Sequence, residues 1–212
     1  MLRLRDYWRS SAAYRVRIAL ELKGLAYERV PVDLVAGEQG AADNVALNPQ
    51  GLVPTLVLPD GTALTQSLAI LEWLDGTYPD PPFWPTDPLG RAHATAQALV
   101  IVADIHPIDN LRVLRRLKSQ FGAEQDAVDD WYRHWVATGL AALEAMVETR
   151  AGNGPFLGGD APGVADICLV PQLANARRFD VPLDPYPKLV AADEAAGALP
   201  AFQAAHPERV KP

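Results

Sequence analysis

The sequence contains a single cysteine, Cys168, and no apolar run longer than the one at residues 98–103. One thiol cannot form an internal disulfide, which is typical of proteins in a reducing compartment. A membrane-spanning helix needs about 20 apolar residues, and residues 1–8 lack the apolar segment of a signal peptide. We therefore expect a cytoplasmic protein that neither spans a membrane nor is exported.

Basic residues are in the minority, with 19 Lys and Arg against 26 Asp and Glu and a formal net charge of −7. An acidic surface repels phosphate backbones and anionic lipids, so we expect neither nucleic acid nor a membrane as partner. The four histidines lack partners at zinc-ligand spacing, and we predict no metal site. The 212 residues, 49% of them hydrophobic, suffice for one large globular domain or two small ones.

The amino-terminal part of the chain alternates strand and helix patterns. Residues 2–8 predict a strand, residues 11–23 a helix ended by Gly24, and residues 27–34 a second strand parallel to the first. The Gly- and Ala-rich segment that follows is expected to be irregular. Further elements are a β-hairpin at residues 54–58 and 62–65, joined by Asp60-Gly61, and a helix at residues 67–78.

A proline cluster marks a domain boundary, because residues 79–88 hold five of the 19 prolines. We place an α/β domain at residues 1–80, a linker at 81–88 and an all-helical domain at 89–212. Helices are predicted at residues 89–119, kinked at Pro107 and ended near Gly122, and at 124–148, 164–176, 186–196 and 200–205.

Ser10 and Ser11 lie where the first strand turns into the first helix. Free backbone N–H groups and the helix dipole stabilise an anion or a thiolate at such a position, and a serine hydroxyl can donate a hydrogen bond to it. On this segment alone an ordinary N-cap is the simpler interpretation. A serine hydrolase is disfavoured, since no Gly-x-Ser-x-Gly motif is present.

Two further segments of the first domain are candidates for ligand contacts. Val53-Pro54 precedes the third strand, either at a strand start or in a cis turn, and a cis bond would expose the Val53 backbone to a peptide-like ligand. Gln66-Ser67 begins a helix whose free N–H groups can hold a carboxylate, although Ser67 can also be an ordinary N-cap.

The helical domain has fewer chemical candidates. His106 lies beside the predicted kink and can line a cleft, or it can be a structural hydrogen-bond donor. Asp109 and Asn110 are equally well explained as surface residues. Arg177 and Arg178 end a helix, where cations are favoured, and they are also suited to binding a carboxylate.

The helix beginning near residue 164 carries two residues that we interpret as structural. Asp166 is predicted to reach back to the N–H of Gly163, as in a capping box whose first residue has no hydroxyl. Cys168 follows in an apolar stretch and is predicted to be a buried core thiol, not a nucleophile.

Four segments, in this order, carry a family resemblance. They are Ser-Ser-x-x-Tyr-Arg-Val-Arg-Ile-Ala-Leu from Ser10, the stretch from Asn48-Pro49 to Val53-Pro54-Thr-Leu, Gln-Ser-Leu-Ala-Ile from Gln66, and Ala-Asp-Ile-Cys-Leu-Val-Pro-Gln from Ala165. Over almost its whole length the chain resembles the zeta class of glutathione transferases, and the first segment is the most specific to that class. The resemblance implies a thioredoxin-like amino-terminal domain, an all-α carboxyl-terminal domain, glutathione as cofactor and a homodimer.

The resemblance also implies roles for individual residues. Ser10 would bond the glutathione sulfur, and Arg9 would meet a substrate carboxylate. Catalytic roles are implied for Ser10, Ser11 and Arg9. Glutathione contacts are implied for Ser10, Ser11, Arg15, Gln39, Val53, Pro54, Gln66, Ser67, His106, Asn110 and Arg112. Substrate contacts are implied for Arg9, His106, Arg177 and Arg178. Five of these residues are expected to form a positively charged cleft in an acidic protein, namely Arg9, Arg15, Arg112, Arg177 and Arg178.

The activity implied by the resemblance is glutathione-dependent cis–trans isomerisation of a maleyl keto diacid, either maleylacetoacetate or, alternatively, maleylpyruvate, in the catabolism of aromatic compounds. The class commonly has cysteine after the two serines, and Ala12 stands there. The sulfur of glutathione itself is therefore the expected nucleophile. A conjugating or dehalogenating transferase is one alternative, weakened by this loss. A noncatalytic interaction module is another, disfavoured by the intact Ser10, Gln66 and Ser67.

Overall fold

The structure, a computed structural model, describes residues 1–148 and 154–212, which pack into two units. The first consists of Met1–Phe83 with Ala198–Pro212, and the second of Trp84–Gly197. The carboxyl-terminal segment thus packs with the α/β unit, whereas the sequence placed it in the helical domain. Its pattern is helical as expected, but a helical pattern does not reveal which neighbour the helix packs against.

The first unit is built on a four-stranded sheet of order β2-β1-β3-β4. Strand β1 runs parallel to β2 and antiparallel to β3, which in turn pairs antiparallel with β4. The parallel pair and the hairpin are therefore confirmed. Alternate residues of β1 and all of β3 are buried, which places the sheet at the core of this unit. The strands are β1 (Leu2–Asp6), β2 (Tyr27–Pro31), β3 (Thr55–Val57) and β4 (Ala63–Thr65).

Three helices accompany the sheet: α1 (Ser11–Leu22), α2 (Ala42–Leu47) and α3 (Ser67–Thr77). Helix α2 and the short 3-10 turn Glu38–Gly40 lie in the segment that we expected to be irregular. Helix α2 has no side-chain cap of its own. It is held by the Arg5 Nε atom, which donates to Asn44 Oδ1 at 2.8 Å, a contact between residues distant in sequence.

Among the residues that the structure describes, the regular elements of the second unit are helices. Its elements are α4 (Pro88–Leu99), a π-helical segment (Val100–Ile105), α5 (His106–Ile108), α6 (Leu111–Phe121), α7 (Gln125–Glu148), α8 (Val164–Arg178) and α9 (Pro187–Gly197). The single kinked helix predicted at residues 89–119 is in fact broken, because Asn110 starts a new helix by capping α6. Gly122 ends α6 at φ 66°, as predicted.

Two short helices, α10 (Pro200–Ala205) and α11 (Pro207–Val210), complete the first unit, and α10 packs on α1. Helix α10 was predicted and α11 was not. Within residues 1–148 and 154–212, no helix combines the length and apolar character needed to cross a membrane.

Candidate active site

Ser10 is the N-cap of α1, with extended backbone angles, and its Oγ accepts a hydrogen bond from the N–H of Ala13 at 3.2 Å. The structural role expected for this serine is therefore present. It does not preclude a chemical role, since the bond uses the hydroxyl oxygen as acceptor and leaves the O–H proton to donate to a sulfur. The loop is closed by Ser10 N–H, which donates to the Tyr7 carbonyl at 2.8 Å.

The residues on either side of Ser10 differ in accessibility. Arg9 is exposed, and its guanidinium carbon lies 4.4 Å from the centroid of the Trp8 ring. Ser11 and Ala12 are buried in the first turn of α1. Ser10 is half-buried, so it presents its hydroxyl more openly than Ser11.

The start of α3 combines a backbone outlier with a buried polar pair. Gln66 has φ 67°, which is strained for a residue other than glycine, and such strain is concentrated at functional sites. The hydroxyl of Ser67 accepts from Arg15 Nη1 at 3.2 Å, and both residues are buried. Arg15, at 1% exposure, is thus placed to orient Ser67 from inside the unit.

The side chain of Gln66 contacts Gln50, a residue that the sequence analysis did not identify as a candidate. Its Nε2 donates to the Gln50 Oε1 at 2.7 Å. Gln50 directly follows Asn48-Pro49 of the family segment, and this position in the sequence could have identified it as a candidate. The Val53-Pro54 bond between these elements is cis, the second of the two geometries that the sequence left open.

Gln39 lies beside α2 and has a side-chain acceptor to offer. Its Oε1 is buried and has no hydrogen-bond partner among the described residues. The Gln39 backbone is fixed because its carbonyl accepts from Asn44 Nδ2 at 2.8 Å. A buried acceptor without a partner costs free energy, so this oxygen fits a ligand N–H.

In the second unit, His106 and Asn110 are neighbours across the break between α5 and α6. The His106 Nε2 and Asn110 Nδ2 atoms lie 3.5 Å apart. Asn110 also caps α6, with its Oδ1 accepting from the Arg112 N–H at 3.1 Å, while the Arg112 residue is exposed. This arrangement fixes the His106 and Asn110 side chains on one side of the helix break.

Asp109 is buried, with 7% exposure, where the sequence allowed a surface residue. Neither carboxylate oxygen has a hydrogen-bond partner among the described residues. Burial raises the pKa of this carboxyl to about 8, so the neutral acid predominates at pH 7. No local sequence pattern predicts this burial, because the position of Asp109 at the break between α5 and α6 depends on packing.

The two arginines at the end of α8 have different surroundings. Arg177 Nη2 forms an ion pair with Asp193 at 2.6 Å. Arg178 lies over the Phe179 ring at 4.9 Å and also interacts with the hydroxyl of Tyr132. Tyr132 is buried and stacks on Phe179 with centroids 3.7 Å apart, and burial raises its pKa. Arg178, which is exposed and backed by an aromatic pair, is the better placed of the two to bind a carboxylate.

The start of α8 is structural. Asp166 Oδ2 accepts from the Gly163 N–H and Oδ1 from the Leu157 N–H, both at 2.9 Å. Despite these bonds, burial raises the pKa of Asp166 to about 6. Cys168 is fully buried. The predicted capping role of Asp166 and the burial of Cys168 are both confirmed.

Of the five arginines expected in one charged cleft, Arg15 and Arg177 are engaged within their own units. Arg9, Arg112 and Arg178 are exposed and stay candidates for ligand binding. The candidate site residues are therefore distributed over both units, with Ser10, Gln66 and Ser67 in the first unit and His106, Asn110 and Arg178 in the second.

Known proteins resemble the chain over its full length. The family model described as "Glutathione S-transferase, N-terminal domain" matches residues 9–77, and "Glutathione S-transferase, C-terminal domain" matches residues 129–192. The maleylacetoacetate isomerase of Rhizobium meliloti (strain 1021) is 49% identical over 209 residues, which are 99% of this chain and 97% of that protein.

Two solved structures extend the likeness to the fold. A maleyl pyruvate isomerase, described as a bacterial glutathione-s-transferase in Zeta class, superposes with a TM-score of 0.96 at 42% identity, covering 99% of this chain and 98% of that chain. Maleylacetoacetate isomerase from Anaeromyxobacter dehalogenans 2CP-1, with bound GSH in the active site, gives a TM-score of 0.88 at 49% identity, covering 100% and 97%. The thioredoxin-like and all-α fold class is confirmed, and the chain belongs to the glutathione S-transferase family, in its zeta class.

Proposed function

We propose that the chain is a glutathione-dependent isomerase that converts the cis double bond of a maleyl keto diacid to the trans isomer. The observation that carries the proposal is the geometry of Ser10. Its oxygen is occupied by the Ala13 N–H, its proton is left to donate, and it lies at the positive end of α1. A negatively charged sulfur is stabilised by this combination.

The first unit fits glutathione through several independent groups. Gln66 and Ser67 begin α3, whose N-terminal N–H groups suit a carboxylate, and Gln39 offers a buried acceptor without a partner among the described residues. The Val53 backbone precedes β3 and is suited to pairing with a peptide-like ligand. When bound, glutathione supplies the thiolate that adds to the double bond and leaves after rotation about the resulting single bond.

The protein's own contribution to the chemistry is to lower the pKa of that thiol and to hold the diacid. A free thiol has a pKa of about 8.5, so at pH 7 it needs the Ser10 hydroxyl and the α1 dipole to stay ionised. Arg9 and Arg178 each offer a planar guanidinium, which binds carboxylates bidentately. His106 and Asn110 supply polar groups for the keto function.

Relatives named for two substrates leave maleylacetoacetate and maleylpyruvate as the two candidates. The structure with the TM-score of 0.96 is a maleyl pyruvate isomerase. Maleylpyruvate therefore has to be tested beside maleylacetoacetate. A homodimer and a cytoplasmic location, expected from the resemblance and the sequence, belong to the same proposal. Since Ala12 stands in place of the usual cysteine and Cys168 is fully buried, the nucleophile in this proposal is the sulfur of glutathione.

The test compares both diacids by ultraviolet spectroscopy, with glutathione, with S-methylglutathione and without either. We expect the enzyme to consume the cis isomer rapidly when glutathione is present. With S-methylglutathione, or with neither compound, we expect no rapid loss, because the free thiol is missing. The ratio of kcat/KM for the two diacids then identifies the substrate. Equal rates with glutathione and S-methylglutathione, or no reaction of either diacid, would contradict the proposal.

A further inference from the structure

The carboxyl-terminal segment, residues 198–212, is tied to the first unit by two arginines. Arg17 Nε donates to the Ala205 carbonyl at 2.9 Å, and Arg29 Nη1 donates to the Val210 carbonyl at 2.6 Å. These are backbone carbonyls of α10 and of the last turn of α11. The segment is thus fixed by its main chain at two points.

Both arginines share one carboxylate at the end of β1. Asp6 Oδ1 accepts from Arg17 Nη1 at 2.6 Å, and Asp6 Oδ2 accepts from Arg29 Nε at 2.8 Å. The side chains of Asp6 and Arg17 are fully buried. A buried ion pair with charged hydrogen bonds holds its members in one geometry, because any other arrangement leaves a charge unpaired.

The same guanidinium reaches the loop that carries Ser10. Arg17 Nη2 donates to the Trp8 carbonyl at 3.2 Å, two residues before Ser10. The terminal segment also reaches this loop, because Lys211 Nζ lies 5.2 Å from the centroid of the Trp8 ring. The Arg9 guanidinium carbon lies 4.4 Å from the same centroid. Arg17 therefore joins β1, the Trp8–Ser10 loop and α10 through separate N–H groups.

We propose that Arg17 is a positioning residue, which, together with the terminal segment 198–212, holds the Trp8–Ser10 loop so that the Ser10 hydroxyl and Arg9 meet their ligands. The inference rests on the proposed function, since it assigns Arg17 an effect on the glutathione thiol. Hydrogen bonds weaken steeply with misalignment, so a loosened loop costs the thiolate part of its stabilisation. Arg17 touches neither glutathione nor substrate in this account and acts through Trp8 and Ser10.

Arg17→Lys is the decisive variant, because lysine keeps a positive charge for Asp6 but cannot direct separate donors to the Trp8 and Ala205 carbonyls. The measurement is the pH titration of the thiolate absorbance of enzyme-bound glutathione. We expect the thiol pKa to rise by about one unit, which is about a tenfold loss of thiolate at a pH below the wild-type pKa. The kcat should fall in proportion, with glutathione affinity little changed because the α3 contacts are intact.

Lys23→Met is the matched control. Lys23 follows the same helix at its other end and also binds a carboxylate and a backbone carbonyl, those of Asp75 and Pro81, but it does not contact the loop. We expect it to lower stability and leave the thiol pKa unchanged. An equal pKa shift in this variant would overturn the inference, because the effect would then be one of general stability.

If Arg17→Lys does not fold, the thiol pKa is measured in Arg29→Lys instead. Arg29 is partly exposed, and within the terminal segment it bonds the Val210 carbonyl near the outer end. A smaller rise in thiol pKa supports the inference there, and a wild-type value overturns it. A folded Arg17→Lys enzyme with the wild-type thiol pKa also overturns it. The wild-type titration separates the two claims: if the wild type itself does not lower the thiol pKa, the proposed function fails and the inference falls with it.

Discussion

Replacing Ser10 by alanine removes the hydroxyl that caps α1 and, in our proposal, the donor to the glutathione sulfur. The two losses differ in what they change. The hydrogen bond from the Ala13 N–H to Ser10 Oγ belongs to the fold, and losing an N-cap costs about 1 kcal/mol. The hydrogen bond from the Ser10 hydroxyl to the sulfur forms only when glutathione is bound, and it affects the ionisation of the glutathione thiol.

The size of the second effect follows from the charge on the acceptor. A hydrogen bond to a charged group contributes about 1.5–3 kcal/mol. Since one pKa unit corresponds to 1.36 kcal/mol, the pKa of the bound thiol should rise by about 1–2 units. At a pH below the wild-type pKa the thiolate fraction, and with it the rate of isomerisation, then falls by about 10- to 100-fold, and the loss is smaller at a pH where the wild-type thiol is already mostly ionised.

The assay is a pH titration of the thiolate absorbance with saturating glutathione, read beside kcat at each pH. Ser10→Thr is the matched variant, because it keeps a hydroxyl and should retain most of the activity. Asp87→Ala removes the N-cap of α4, where the Asp87 carboxylate accepts from Gly90 N–H at 2.7 Å, and should leave the thiol pKa unchanged. An unchanged thiol pKa in Ser10→Ala would show that the Ser10 hydroxyl does not bond the glutathione sulfur.

Three further predictions concern other residues of the site. Arg178→Lys should raise the KM for the diacid by about 10- to 100-fold with unchanged glutathione affinity, since a bidentate charged contact is lost; Arg177→Lys, measured in parallel, should have little effect because Arg177 pairs with Asp193. Gln66→Gly should fold at least as stably as the wild type, by thermal denaturation, because glycine adopts φ 67° without strain, and calorimetry should show weaker glutathione binding. Asp109 binds a proton in the folded state up to about pH 8, whereas the unfolded chain releases it near pH 3.9, so wild-type stability should fall between these values. Asp109→Asn should lack this fall in denaturant midpoints, and parallel curves for the two proteins would count against a buried, protonated Asp109.

The elements with strong local signals were predictable from the sequence. The Asp60-Gly61 turn fixed the hairpin, and the apolar periodicity of α1 and α7 gave those helices to within a residue or two. Ser10, Gln66 and Ser67 were identified because strand-to-helix junctions expose N–H groups wherever they occur. These are properties of a few neighbouring residues, which is why sequence reasoning finds them.

The features that were missed depend on partners distant in the chain. Helix α2 has no cap and is held by Arg5, 39 residues away from Asn44. The burial of Asp109 follows from the break between α5 and α6, which a proline at 107 did not by itself reveal. The attachment of residues 198–212 to the first unit depends on the carbonyls that Arg17 and Arg29 contact, and no local pattern records that.

In the proposed reaction, glutathione serves as a reusable nucleophile in a cis–trans isomerisation. The most direct test of this role follows the vinyl protons of maleylpyruvate and maleylacetoacetate by NMR, with enzyme and glutathione far below the concentration of the diacid. We expect complete conversion of at least one diacid to its trans isomer, with many turnovers per glutathione and the glutathione recovered unchanged. Consumption of one glutathione per diacid, or conversion that proceeds equally without glutathione, would contradict the proposed reaction.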